Sequence, residues 1–189
     1  MKKIVAFSGS ARQGSFNQKL VKIAAEGAKQ AGVAVTVVDL ADYPMPLFNE
    51  DLEAKEGMPE TAKAFKQLLI DHDGLLIASP EYNSAFSPLL KNAIDWASRA
   101  TAENELPLMA YRGKYAAIMA TSPGGLGGIR GLVFLRMLLG NIDITVLPDQ
   151  QAVPKAYQAF SEDGTLHDKQ LESKVMALGE ALAQVLNKV

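Results

Sequence analysis

Three polar segments carry the residue types that could do chemistry, and each follows a short apolar run. The first, GSARQGSFN (9–17), holds two glycines, Ser10, Arg12, Ser15 and Asn17 before a stretch of helical period. Backbone N–H groups at a helix N-terminus are unpaired and carry the positive end of the helix dipole, so such a turn can hold an anion. Ser10, Ser15 and Asn17 can add neutral hydrogen bonds and Arg12 a charge-assisted one. Singly, Ser15 reads as an N-cap and Arg12 as a solvated charge. Taken together after a strand, the set points to a phosphate.

Missing residues narrow which phosphate. Gly9 and Gly14 have P-loop spacing, but Ser15-Phe16 stands where Lys-Ser/Thr is needed, which argues against ATP or GTP hydrolysis. The dinucleotide fingerprint G-x-G-x-x-G fails at Ala11, and in the later glycine run it fails at Arg130. Asp39 then reads as a strand-end residue. A single terminal phosphate, as on a mononucleotide, suits the first segment best.

The second segment, SPEYNSAFSP (79–88), offers Pro80 and Tyr82 as walls for a flat ring, with Glu81, Asn83 and local backbone for its polar edge. An ordinary turn with a rim aromatic is the alternative. The third, TSPGGLGGIRG (121–131), has four glycines within 124–128, which lets backbone approach a planar ligand. The alternative there is a flexible loop. His72 and His167 have no partners at metal-site spacing, and no G-x-S-x-G elbow occurs. A chain this poor in acid–base machinery borrows its chemistry from a cofactor.

Positioning these segments requires strands that end in them. Candidate strands are 3–7, 33–40, 74–79, 115–120 and 143–147, alternating with candidate helices 16–31, 59–71, 88–99, 128–140 and 168–188. Near-continuous Val, Ile, Leu and Ala runs mark strands buried on both faces of a parallel sheet. Five strand–helix units imply a doubly wound α/β fold, here one domain over 1–189, with ligands beyond the strands' carboxyl ends. Helix starts are signalled by the capping box Ser15…Gln18 and by Ser87-Pro88. Stretches 41–58 and 100–113 read as long irregular loops, functional or at a subunit contact.

Composition excludes several classes. The net charge of −2 gives no footprint for nucleic acid, and no apolar run has the length of a membrane span. The N-terminal apolar core is about four residues, too short for a signal peptide, and there are no cysteines. The expectation is a soluble cytoplasmic protein.

GSARQGSFN, SPEYNSAFSPLLKNAIDWASR and TSPGGLGGIRG together resemble the NAD(P)H-dependent FMN reductase family, which includes quinone, azo and chromate reductases. The resemblance implies a flavodoxin-like sheet of order 2-1-3-4-5, non-covalent FMN, and a homodimer or homotetramer. It implies that Ser10, Arg12, Ser15 and Asn17 hold the FMN phosphate, with Phe16 in the same segment. Pro80, Glu81, Tyr82 and Asn83 would line the isoalloxazine, and Ser122, Gly124, Gly125 and Gly127 approach its other side. Many relatives have glycine after the proline that opens the following helix, where this chain has Leu89. The implied activity passes hydride from NADPH or NADH through FMN to quinones, or to azo compounds, chromate or free flavin, by a two-electron ping-pong cycle without a catalytic side chain. The rival is a flavodoxin-like electron carrier, disfavoured by Arg12 and the weak net charge. Leu89, Leu90, Ile94 and Trp96, with Met45, Leu47 and Phe48, are the expected subunit contact.

Overall fold

Alternate residues along the three central strands face opposite helical layers, so their apolar runs are buried on both faces, while the two edge strands are partly exposed. The computed structural model describes residues 1–189. Strands β1 (Lys3–Ser8), β2 (Ala34–Val38), β3 (Gly74–Ala78), β4 (Lys114–Thr121) and β5 (Ile144–Val153) form one parallel sheet of order β2-β1-β3-β4-β5. Ile4, Ala6, Leu76, Ala78, Ala117 and Met119 pack against helices α1 (Phe16–Gln30) and α7 (Lys169–Leu186). Val5, Phe7, Leu75, Ile77, Ala116 and Ile118 pack on the other face. Helices α3 (Glu60–Ile70), α4 (Pro88–Ser98) and α5 (Ile129–Asn141) cover that side. Helices α1 and α7 touch backbone to backbone, because a Cβ on Gly27 would overlap Met176 and one on Gly179 would overlap the Ala24 carbonyl. The chain winds outward from β1 to β2, then returns past β1 to β3. That reversal opens a crevice at the strands' carboxyl ends.

Two expectations are corrected. The last strand does not stop at Leu147 but continues through Pro148 to Val153. Pairing jumps from Ala116–Val146 to Ile118–Gln150, so the proline sits in a bulge on an edge strand, where its missing N–H costs no ladder bond. The bulge carbonyls of Leu147 and Pro148 accept from the Arg136 guanidinium at 2.7 and 3.2 Å.

The stretch 41–58 is also not irregular throughout, since it contains α2 (Glu50–Glu56), capped by Asn49. It covers α4: Phe48 meets Trp96 edge-on at 5.1 Å, and Trp96 Nε1 donates to Pro46 O at 2.8 Å. Trp96 is buried under this cover and Leu90 and Ile94 belong to the sheet-side core, so these three of the residues expected at a subunit contact are not exposed to a partner, whereas Leu47 stays 77% exposed. The 100–113 segment is held by a buried Lys66–Glu105 pair and by Tyr111 Oη donating to Ile94 O at 2.8 Å. No helix is long and apolar enough to cross a membrane.

Candidate functional site

The first loop is a turn built for close packing beneath and open donors above. A Cβ on Gly9 would come within 2.8 Å of Ser87 Oγ and 3.0 Å of Leu90 Cβ, so only glycine fits there. Ser87 Oγ donates to Gly9 O at 2.5 Å and accepts from Leu90 N at 3.2 Å, capping α4 while tying it to the loop. Ser15 caps α1, accepting from Gln18 N at 3.4 Å. The reciprocal half of the capping box does not form, because Gln18 Nε2 reaches across to Val38 O at 3.1 Å. The backbone N–H groups of Phe16 and Asn17 have no acceptor in the protein. Arg12 donates only to Gln13 O and Gly14 O, at 3.3 and 3.4 Å, and pairs with no carboxylate.

Asn17 is placed differently from the rest. Its amide is buried, donating to Thr121 O and accepting from Thr121 N, both at 3.0 Å. Both ends of the side chain thus hold the start of α1 to the end of β4. What remains for a ligand is its main-chain N–H.

The second loop is a tight hairpin. Tyr82 and Ala85 exchange backbone bonds at 2.9 and 3.1 Å across Asn83 and Ser84, whose φ values are 50° and 72°. Two successive positive φ angles are the signature of a type I′ turn, a conformation asparagine tolerates well. Asn83 therefore serves the turn, and Tyr82 is left 55% exposed at its edge. Glu81 points away from the hairpin toward α5. Its carboxylate accepts from Arg130 Nε and Nη2 at 2.9 and 2.5 Å, and from the N–H groups of Arg130 and Gly131 at 3.1 Å. Burial acting alone would raise its pKa, but the Arg130 fork and the helix-end amides outweigh it and hold the acid below its ordinary value.

In the third loop the glycines divide by role. A Cβ on Gly127 would lie 2.7 Å from Val153 C, and one on Gly128 2.8 Å from Ala120 Cβ, so these two are packing glycines at positive φ. Gly124 and Gly125 face open space, with nothing nearer than Ser122 Oγ at 3.8 Å.

The loops meet at one cleft of about 180 Å³. The first loop contributes Ser10, Arg12, Ser15, Phe16 and Asn17, and the second Pro80, Glu81 and Tyr82. Ser122 lines it from the third. Asn83, Gly124, Gly125 and Gly127 lie outside this lining. Thr121, Pro123, Ala156 and Tyr157 line it too and were missed by motif reading. Thr121 and Pro123 lay inside a recognised segment, whereas Ala156 and Tyr157 sit on the short α6 (Ala156–Ala159), which no pattern announces. The cleft has one unpaired cation, Arg12, and its one carboxylate, Glu81, is neutralised by Arg130. Anions are admitted there without a competing negative charge.

A family model described as NADPH-dependent FMN reductase matches residues 2–158. A probable NADPH:quinone oxidoreductase of Oryza sativa subsp. japonica is 35% identical, covering 92% of this chain and 83% of that protein. An NAD(P)H-dependent FMN reductase of Pseudomonas aeruginosa is 34% identical over 95% of this chain and 92% of its own. Among solved structures, a flavoenzyme NAD(P)H:(acceptor) oxidoreductase from Paracoccus denitrificans superposes with a TM-score of 0.81 at 27% identity, covering 100% of this chain and 98% of that one.

Proposed function

The chain belongs to the NADPH-dependent FMN reductase family, and on that premise we propose that it reduces quinones with electrons from NADPH or NADH by an alternating, single-site cycle. It is an oxidoreductase whose cofactor is FMN and whose electron donor is NAD(P)H. The observation that carries the reading is the meeting of three loops at one cleft, with the Ser10, Arg12 and Ser15 donors in its lining.

The residues present fit FMN. Free N–H groups at Phe16 and Asn17, the Ser10 and Ser15 hydroxyls and the unpaired Arg12 form a donor set for one phosphate. Ligand pockets that enclose a drug-sized molecule run to about 300–1,000 Å³. At about 180 Å³ the cleft suits the phosphate and sugar-alcohol chain, leaving the three-ring head on the open shelf beside Tyr82, Gly124 and Gly125. Pro80, Glu81 and Asn83 shape that shelf through backbone, and Gly127 fixes its floor on β5.

Bound FMN supplies two-electron acceptance from a dihydronicotinamide and delivery to a quinone. The protein's own work is orientation. The Glu81–Arg130 clasp and the Asn17–Thr121 bonds hold the three loops rigidly together, so the shelf keeps its shape through successive visitors. With one shelf, donor and acceptor must alternate. Varying NADPH and a benzoquinone together should give parallel double-reciprocal lines, and intersecting lines would overturn the single-site cycle.

We further place a homo-oligomer contact on α5. Ile129, Val133, Phe134 and Met137 expose 37, 61, 44 and 59% of their surface along one helix, next to the shelf. Monomers rarely leave such a stripe in water. Light scattering should return a dimer or tetramer mass, and Phe134→Glu a monomer mass.

A further inference from the structure

One wall of the cleft comes from outside the three motifs. After β5 ends at Val153, Lys155 takes a left-handed backbone, φ 52° and ψ 49°. Residues other than glycine, asparagine and aspartate adopt that conformation rarely. The turn is fixed to the glycine loop by two bonds: Lys155 N–H donates to Gly124 O at 3.1 Å, and Ala156 N–H to Ser122 O at 3.0 Å. The ring-side loop therefore carries α6, and with it Tyr157, into the wall of the cleft that Ser10, Arg12 and Ser15 also line.

Tyr157 is not there for the core. It is 73% exposed, whereas Phe160 on the same turn is 6% exposed and packs on Phe16 at 5.4 Å between centroids. Its ring is nonetheless oriented, meeting the Phe16 ring edge-on at 5.2 Å and 87°. The Arg12 guanidinium lies 5.7 Å from that same Phe16 ring. A positively charged fork and a phenol thus share one aromatic support at the mouth of an anion cradle.

We propose that Tyr157 is a cofactor-binding residue whose hydroxyl donates to the phosphate of FMN, forming with Arg12 the outer wall of the phosphate site. The inference rests on the reading that the cleft takes FMN. A phenol is a strong donor, a phosphate monoester a charged acceptor, and hydrogen bonds of that kind are the short, specific ones. A flavin without the phosphate should not sense the hydroxyl.

The test is titration of wild type, Tyr157→Phe and Tyr157→Ala with FMN and with riboflavin, read by quenching of flavin fluorescence. Tyr157→Phe should bind FMN about tenfold more weakly, the scale of one lost bond to a charged group, with riboflavin affinity unchanged. Tyr157→Ala should lose at least as much for FMN. The side chain is largely exposed, so both variants should fold, as circular dichroism will show. Unchanged FMN affinity in Tyr157→Phe overturns the proposal, as does an equal loss for FMN and riboflavin. Failure of the wild type to take up FMN at all would overturn the reading of the cleft as well.

Discussion

Removing Arg12 is the sharpest probe of the proposed phosphate cradle. In the folded chain its guanidinium is exposed and donates to Gln13 O and Gly14 O at 3.3 and 3.4 Å, distances at the weak end of hydrogen bonding. Turning toward a phosphate therefore gives up little. A hydrogen bond to a charged group contributes about 1.5–3 kcal/mol, so Arg12→Ala should weaken FMN binding roughly 10- to 150-fold. Exposure to solvent favours the lower part of that range, and added salt should narrow the gap between wild type and variant.

Two comparisons separate this from a general disturbance. The cap on α1 belongs to Ser15 and the tie to β4 belongs to Asn17, so Arg12→Ala should melt within a degree or two of wild type, as expected for a surface substitution away from such features. Riboflavin, which has no phosphate, should bind both proteins alike. Arg12→Lys should fall between, because it keeps the charge and loses the fork. Fluorescence titration at two salt concentrations measures all of this. Unchanged FMN affinity, or a loss shared by riboflavin, would refute the cradle assignment of Arg12.

Asn17→Ala strands the Thr121 N–H and C=O inside the protein, which should cost about 2–4 kcal/mol and lower Tm by roughly 5–15 °C by calorimetry. Glu81 has a pKa held below its ordinary value, so its contribution to stability is present above the unfolded-state pKa of about 4.3 and is lost as pH falls through the lower folded value. Glu81→Gln should accordingly be less stable than wild type at pH 7, with the difference closing in acid; denaturant melts across pH check it. Trp96→Ala empties a fully buried site under Phe48 and Pro46 and should cost about 3–5 kcal/mol by urea denaturation.

Much of this fold is legible in the sequence because its three central strands are buried on both faces. Runs such as Ile4–Phe7 and Leu75–Ala78 are apolar at every position, and only a parallel sheet between helical layers makes use of that. The site's three loops follow from the same logic, since they are the polar segments after β1, β3 and β4. Legibility stops where a remote side chain supplies what the local sequence lacks. Pro148 reads as the end of a strand, and nothing near it says that Arg136, on the preceding helix, will satisfy the bulge carbonyls. The start of α2 was readable: Asn49 followed by Glu50 and Asp51 is an N-cap with an acidic first turn. Tyr157 was not, because its place depends on a left-handed Lys155 and two backbone bonds to the glycine loop.

The site also shows why residue type alone misassigns labour inside a binding motif. Asn17, Glu81 and Ser87 are the polar residues a motif reader would aim at a ligand or a local helix cap, yet each is engaged with another part of the scaffold. Asn17 binds Thr121 across 104 positions of sequence, Glu81 binds Arg130 across 49, and Ser87 binds Gly9 across 78. Every one of these bonds joins two different loops at the carboxyl edge of the sheet. On the reading that the cleft takes FMN, the donors left for the ligand are the main-chain N–H groups of Phe16 and Asn17, which no motif displays, together with Arg12 and the Ser10 and Ser15 hydroxyls. Such a division has a physical advantage. Side-chain bonds between loops resist the rotamer changes that would reshape the shelf, while backbone donors arrive already ordered by the helix and turns that hold them. Substitution of a scaffold residue should therefore lower stability and binding together, whereas substitution of Arg12 should lower binding alone.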